Sequence, residues 1–285
     1  MSTLFKKSRM MKAVKTIVIA VFAIAMGYGQ LFGQQKISIW SLHDELSRDF
    51  YKEITVIPNF MSVNLTNNLL VWESNDYKIA VWVLDDKLNP VKKTNFAIPK
   101  DWSVVNCHDN KILFRKLDGK HSLWGFNAKG EREWIAEFPP EKGWSIVNYS
   151  YNSFLWQKED GRVAFWELGD RGNVLSKKEI AAPKGYSPIS YSDNGILWMK
   201  DGAYQFWRTD NKGNITSKKD IGAIPGWNAL TCFANCIYWV HDNGKVSVWQ
   251  MDPLNCDKLN QKEYGPIKGW TPLGFQDWHM LWINQ

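Results

Sequence analysis

No serine-centred nucleophile motif, glycine-rich phosphate loop or recurring carboxylate pair occurs in this chain, so it offers no ready framework for nucleophilic or phosphate chemistry. The five histidines, His43, His108, His121, His241 and His279, fall at no metal-ligand spacing, which argues against a metal centre, and no cofactor is implied. Cysteine is scarce, with four residues in 285, and none closely follows the N-terminal apolar run, which argues against a lipid-anchored lipoprotein. Helical periodicity is missing after that run, and no later segment is apolar for long enough to span a bilayer.

Acidic residues are missing from positions 1 to 34, which hold Lys6, Lys7, Arg9, Lys12 and Lys15. That stretch carries five units of the net charge of +6, so the remainder is close to neutral at +1 and gives no basis for nucleic-acid binding. A basic start, an apolar run from Ala13 to Met26 and the small residues Gly27 and Gly29 read as a secretory signal over 1–29, with cleavage possible up to 34. The expectation is a secreted, periplasmic or cell-surface protein with no membrane span in its mature chain.

What is abundant is tryptophan, 17 residues of it, and it recurs in register. Apolar segments end in Trp40, Trp82, Trp124, Trp166, Trp207 and Trp249, at steps of 42, 42, 42, 41 and 42. A second series, Trp72, Phe114, Trp156, Trp198, Trp239 and Trp282, steps by 42, 42, 42, 41 and 43. A third, Phe60, Trp102, Trp144, Tyr186, Trp227 and Trp270, repeats those same steps. A fixed period of this length marks a repeat architecture.

Each unit divides into four short strands, exemplified by WSIVNYS, NSFLWQKE, RVAFWELG and VLSKKEI. Asp118-Gly119, Asp160-Gly161, Asp201-Gly202 and Asn243-Gly244 between the second and third strands suit two-residue type I′ hairpins. In VAFW, Ala164 and Trp166 face one way and Val163 and Phe165 the other, so both faces are apolar and both need cover. The predicted fold is therefore all-β, a six-bladed β-propeller of four-stranded repeats over 36–285. Its ring is closed by strands from both termini, the last blade combining 36–57 with 268–285. Two tandem β-trefoils are the alternative.

A unit such as GWSIVNYSYNSFLWQKEDGRVAFW resembles the secreted lectin propellers of the tachylectin kind, in which a blade also opens with Trp, an alternating strand and a hairpin about Gly. The resemblance implies multivalent sugar binding, one site per blade or blade interface, without catalysis. WD-repeat propellers are a looser likeness, through Trp82-Val83-Leu84-Asp85, Trp207-Arg208-Thr209-Asp210 and Trp249-Gln250-Met251-Asp252, and their Gly-His signature is missing.

The ligand-binding candidates are Trp102, Trp144, Tyr186, Trp227 and Trp270, because an aromatic at the start of an inner strand can emerge at a blade end and stack on a sugar. The competing role is to plug the gaps between blades. Phe60 breaks the series, so fewer than six sites are expected. Four residues on, Asn64, Asn106, Asn148, Ser190, Thr231 and Gly274 either line a channel that holds water or an ion, or satisfy backbone groups. Cys107 and Cys232 fall on opposite sides of the ring, which leaves Cys232 and Cys236 as the one pair placed for a disulfide. Pairs such as His108-Asp109, or Asp201 with Asp242, can be drawn into an active site, but any propeller contains such pairs. A non-catalytic binding protein is expected, with glycans as ligand or, alternatively, an envelope protein as partner; a hydrolase or lyase with its site at the channel mouth is the minor alternative.

Overall fold

A computed structural model describes residues 35–42, 45–57, 59–276 and 278–284; the N-terminal signal reading lies outside them. The described residues form six four-stranded antiparallel sheets and no helix. Blade 1 spans Phe60–Thr66 to Pro90–Ala97, blade 2 Trp102–His108 to Arg132–Phe138, and blade 3 Trp144–Ser150 to Val174–Ile180. Blade 4 spans Ser187–Ser192 to Ile215–Ala223 and blade 5 Trp227–Phe233 to Lys258–Tyr264. In each of these the four strands pair in sequence order.

Blade 6 is composite, with the order Arg48–Thr55, Lys36–Leu42, His279–Asn284, Trp270–Gln276. Ile37 to Ser41 pair with Ile283 to His279, so a backbone ladder joins the two ends of the chain and completes a six-bladed propeller. A sheet shared between the ends is incompatible with two tandem trefoils.

The strand pattern buries both faces of each blade, as its two-sided apolarity requires. Ala164 and Trp166 pack with Leu113, Leu123 and Phe138 of blade 2, whereas Val163 and Phe165 pack with Tyr191, Ile196 and Trp198 of blade 4. Trp72, Trp156, Trp198, Trp239 and Trp282 are fully buried. Burying ~200 Å² of each indole at ~25 cal/mol per Å² contributes up to about 5 kcal/mol, an upper bound because denatured chains are partly compact.

The two middle-strand aromatics lean on one another in every blade, from 4.5 Å for Trp156–Trp166 to 5.3 Å for Trp72–Trp82 and Trp40–Trp282. A cation from the outer strand caps each third-strand indole. Lys93, Lys177 and Lys218 lie 3.8, 3.5 and 4.1 Å from the centroids of Trp82, Trp166 and Trp207. Arg48, Arg132 and Lys258 do the same for Trp40, Trp124 and Trp249 at 4.5, 4.5 and 4.2 Å. The aliphatic stem covers the indole while the charge stays at the rim, where lysines also discourage edge-to-edge pairing of the outer strands.

The uneven steps of the repeat fall in turns. In blades 2, 3 and 5 the hairpin between the second and third strands is a three-residue loop, closed by Lys116, Lys158 and His241 amides donating to Lys120, Arg162 and Lys245 carbonyls. There only the glycine has positive φ, +90° at Gly119, +91° at Gly161 and +84° at Gly244, which replaces the expected type I′ turn by a bulged one. Asp201-Gly202 of blade 4 does form a two-residue turn with both φ positive, and this accounts for the step of 41. The step of 43 arises in blade 5, where Asp252 pairs with Asp257 and the equivalent blade 4 bond runs from Asp210 to Asn214.

Candidate functional site

The predicted aromatics sit at the corners where one blade leads into the next. The backbone amides of Trp102, Trp144, Tyr186, Trp227 and Trp270 each close a tight turn, donating to the carbonyls of Pro99, Glu141, Pro183, Ile224 and Ile267 at 2.9–3.1 Å. Four of the five follow a glycine in the left-handed region, Gly143, Gly185, Gly226 and Gly269 at φ +75 to +80°, a conformation that costs other residues about 1 kcal/mol or more. Tyr186 lies one residue ahead of its strand, Ser187–Ser192.

All five aromatics are half-buried, and each packs against a cluster shared with the preceding blade. They fill the wedge between blades, the packing role, and still show part of a ring to solvent. The following residue is polar, exposed at Ser103, Ser145, Ser187 and Asn228 and half-exposed at Thr271. Of Phe60, the backbone heads the first strand of blade 1.

Sequence reasoning missed a partner for each aromatic, fourteen residues on and directly across the hairpin. Trp102 faces Lys116, Trp144 faces Lys158, Trp227 faces His241 and Trp270 faces Asn284. Lys158 Nζ lies 5.6 Å from the Trp144 ring and Lys200 Nζ 5.9 Å from that of Tyr186, while the Trp227 and His241 rings meet edge-on at 4.9 Å. The corner glycine makes room for this partner: a Cβ on Gly226 would lie 2.7 Å from His241 Nε2, and one on Gly185 3.2 Å from Lys200 Cε. A constant offset of fourteen was the available signal, obscured because the residue type changes along the series.

Inward of the corners, Val63, Val105, Leu230 and Leu273, with Asn64, Asn106, Asn148 and Thr231, line a channel cavity of about 220 Å³. A β-bulge at Val105, Leu230 and Leu273 turns these aliphatic side chains toward the channel. The polar series mainly links blades. Asn106 Nδ2 donates to Asn148 Oδ1 and, at 2.6 Å, to Tyr149 O; Asn148 Nδ2 donates to Tyr191 O at 2.9 Å; Ser190 Oγ accepts from the Cys232 amide at 3.1 Å.

At the far mouth, where the first and second strands turn, a cluster appears that does not repeat. Buried His108 lies with Nδ1 3.0 Å from Asp109 Oδ2 and Nε2 3.3 Å from Asp193 Oδ1. Ser150 Oγ is 3.3 Å from Nε2 and accepts the Asp193 amide at 2.7 Å, and the Ala234 amide donates to Asp193 Oδ2 at 2.9 Å. Burial pushes the imidazole pKa down, but the two carboxylates outweigh it and raise it to about 9. The Tyr151 amide lies 3.3 Å from Nδ1 and can donate only to an unprotonated nitrogen, so this bond and the Asp109 contact at 3.0 Å belong to different states of the ring.

The outline is that of a serine–histidine–aspartate relay, with both imidazole nitrogens beside carboxylates. The raised pKa favours an imidazolium, the form that holds both carboxylates rather than one that takes a proton from the fully buried Ser150. The mouth is also crossed by Gln276 Nε2 donating to Cys107 O, and by the Phe233 ring 6.1 Å from that of His108. The Asp of the WD-like segments has a local role: Asp85, Asp210 and Asp252 accept backbone amides of the turns that follow them. All four cysteines are buried free thiols, so Cys232 and Cys236 are not bridged. Among the described residues no three His, Cys, Asp or Glu side chains converge to hold a metal, and no helix is long and apolar enough to cross a membrane.

Six antiparallel four-stranded sheets in a closed ring place the chain among the β-propellers, and solved structures agree at the level of fold. The crystal structure of Kap60 bound to yeast RCC1 (Prp20) is similar with a TM-score of 0.55 and 10% identity, over 88% of this chain and 89% of that one. Human WBSCR16 is similar with a TM-score of 0.52 and 10% identity, over 85% and 84%. Prp20p from Saccharomyces cerevisiae, described with its binding to Gsp1p and histones, is similar with a TM-score of 0.51 and 11% identity, over 89% and 92%. No protein-family model matches the chain, and no curated protein matches it.

Proposed function

We propose that this is an exported, non-catalytic binding protein whose five aromatic corners hold carbohydrate. The observation that carries the reading is the equivalence of the corners. Each offers a half-exposed ring on a fixed turn, a polar side chain next to it and a polar or cationic partner across the hairpin. A sugar needs that combination of an apolar face and directed hydrogen bonds.

An envelope protein as partner has less support. Among the described residues the large exposed apolar side chains are spread over several blades, with Tyr51 on blade 6, Val91 on blade 1, Leu117 and Ile135 on blade 2, Leu175 on blade 3 and Leu259 on blade 5, rather than gathered on one of them. The test is a glycan array on the mature protein beside a variant with Trp144, Trp227 and Trp270 changed to Ala. Lost retention with an unchanged unfolding transition is expected. Collapse of the transition would assign the three residues to packing alone, and an array without hits would reject the carbohydrate reading.

A further inference from the structure

The partners across the hairpin are all hydrogen-bond donors, and they are not equally neutralised. His241 Nδ1 accepts the Asn243 amide at 3.2 Å, which leaves Nε2 as a donor beside Trp227. Lys116 is held by Asp118 at 2.7 Å and Asp101 at 3.4 Å, so the corner of blade 2 is balanced. At blade 3, Lys158 reaches Asp160 only at 3.9 Å, and that carboxylate is already taken by Arg162 at 3.1 Å. At blade 4, Lys200 makes no ion pair among the described residues, not even with its neighbour Asp201, and its stem lies against Gly185 beside Tyr186.

A sugar stacked on Tyr186 presents its ring substituents at the rim of the aromatic, within the reach of a lysine whose charge is unanswered. We propose that the corners select anionic saccharides, with Lys200 as the dominant specificity-determining residue, Lys158 next and Lys116 contributing least. This inference rests on the carbohydrate reading and adds the ligand's charge to it. A neutral sugar gains only the stacking and a hydrogen bond at these corners, whereas a carboxylate or sulfate also gains a charge-assisted bond.

The experiment is an array of uronate-containing, sulfated and neutral glycans, probed at low and high salt with wild type, Lys200→Gln and Tyr186→Ala. Hits are expected among the anionic chains alone, the uronate and sulfate arms separating the two anion types. Lys200→Gln should weaken them about fivefold, with a shallower salt dependence and an unchanged melting curve, as for loss of one exposed ion pair. Hits among neutral chains, or a Lys200→Gln variant that matches wild type, overturn the charge selectivity and leave the carbohydrate reading in place. Tyr186→Ala binding as wild type removes that corner from both, and an array without hits overturns both together.

Discussion

Raising the pH should unlock one end of the ring. His108 joins blade 2 to Ser150 of blade 3 and Asp193 of blade 4, and Asp193 in turn accepts the Ala234 amide of blade 5. Its pKa rises from 6.5 to about 9 on folding, so the stabilisation is complete below 6.5 and is lost as pH climbs through about 9. At about 1.4 kcal/mol per pKa unit the lock is worth about 3 kcal/mol. The assay is equilibrium urea unfolding from below 6.5 to above 9, on wild type and on His108→Gln, which keeps a polar side chain but does not titrate. Other groups face the same site: Asp109, Asp193, Lys111, whose pKa burial lowers, and Tyr149, whose pKa burial raises. Lys111 and Tyr149 titrate in both proteins, whereas Asp109 loses in His108→Gln the imidazole that lowers its pKa, a carboxylate change that falls below this window; subtracting the two curves there isolates the imidazole. The difference should shrink by about 3 kcal/mol across the window. Parallel curves would refute an imidazolium lock.

Three further outcomes follow from packing and backbone geometry. Trp156→Ala removes a fully buried indole from the interface of blades 2 and 3 and should cost about 3–5 kcal/mol in unfolding free energy. Gly213→Ala would place a Cβ 2.7 Å from the Phe165 ring at φ +72°, and should cost about 2–3 kcal/mol by chemical denaturation. Gly161→Ala, at φ +91° with no atom within 4 Å, should cost only about 1 kcal/mol, so equal effects would discredit the contact argument. Denatured, unreduced protein should titrate four thiols; two would mean that Cys232 and Cys236 are bridged after all.

Much of the fold was legible because each aromatic series marks one strand of every blade, and a strand that is apolar on both faces has to be covered on both. The steps of 41 and 43 carried real information as well, since each falls on a turn that is one residue shorter or longer than its equivalents. The hairpin type was not legible. Asp-Gly satisfies both a two-residue turn and the left-handed end of a three-residue loop, and only the count between flanking tryptophans, nine residues from Trp198 to Trp207 against ten elsewhere, separates them. The corner aromatics were found by periodicity, but their partners were not, because lysine, histidine and asparagine at one offset share a donor and not an identity.

The lock at His108 escaped the repeat for a deeper reason. Its equivalents, Thr66, Ser150, Ser192, Phe233 and Gln276, have little in common, and the residues that meet it come from turns about one repeat apart that only ring closure brings together. A repeat protein needs such irregularity, because identical units specify neighbours without specifying where the ring ends. The backbone ladder from Ile37–Ser41 to His279–Ile283 secures the seam between the two ends of the chain. The side-chain chain through His108, Ser150 and Asp193 secures blades 2 to 5, and Gln276 reaching Cys107 O ties blade 6 back to blade 2. The two devices act on complementary arcs of the ring. A charged residue is tolerated in the channel mouth there because it holds several blades at once, while each repeated corner at the opposite end joins only its own blade to the preceding one.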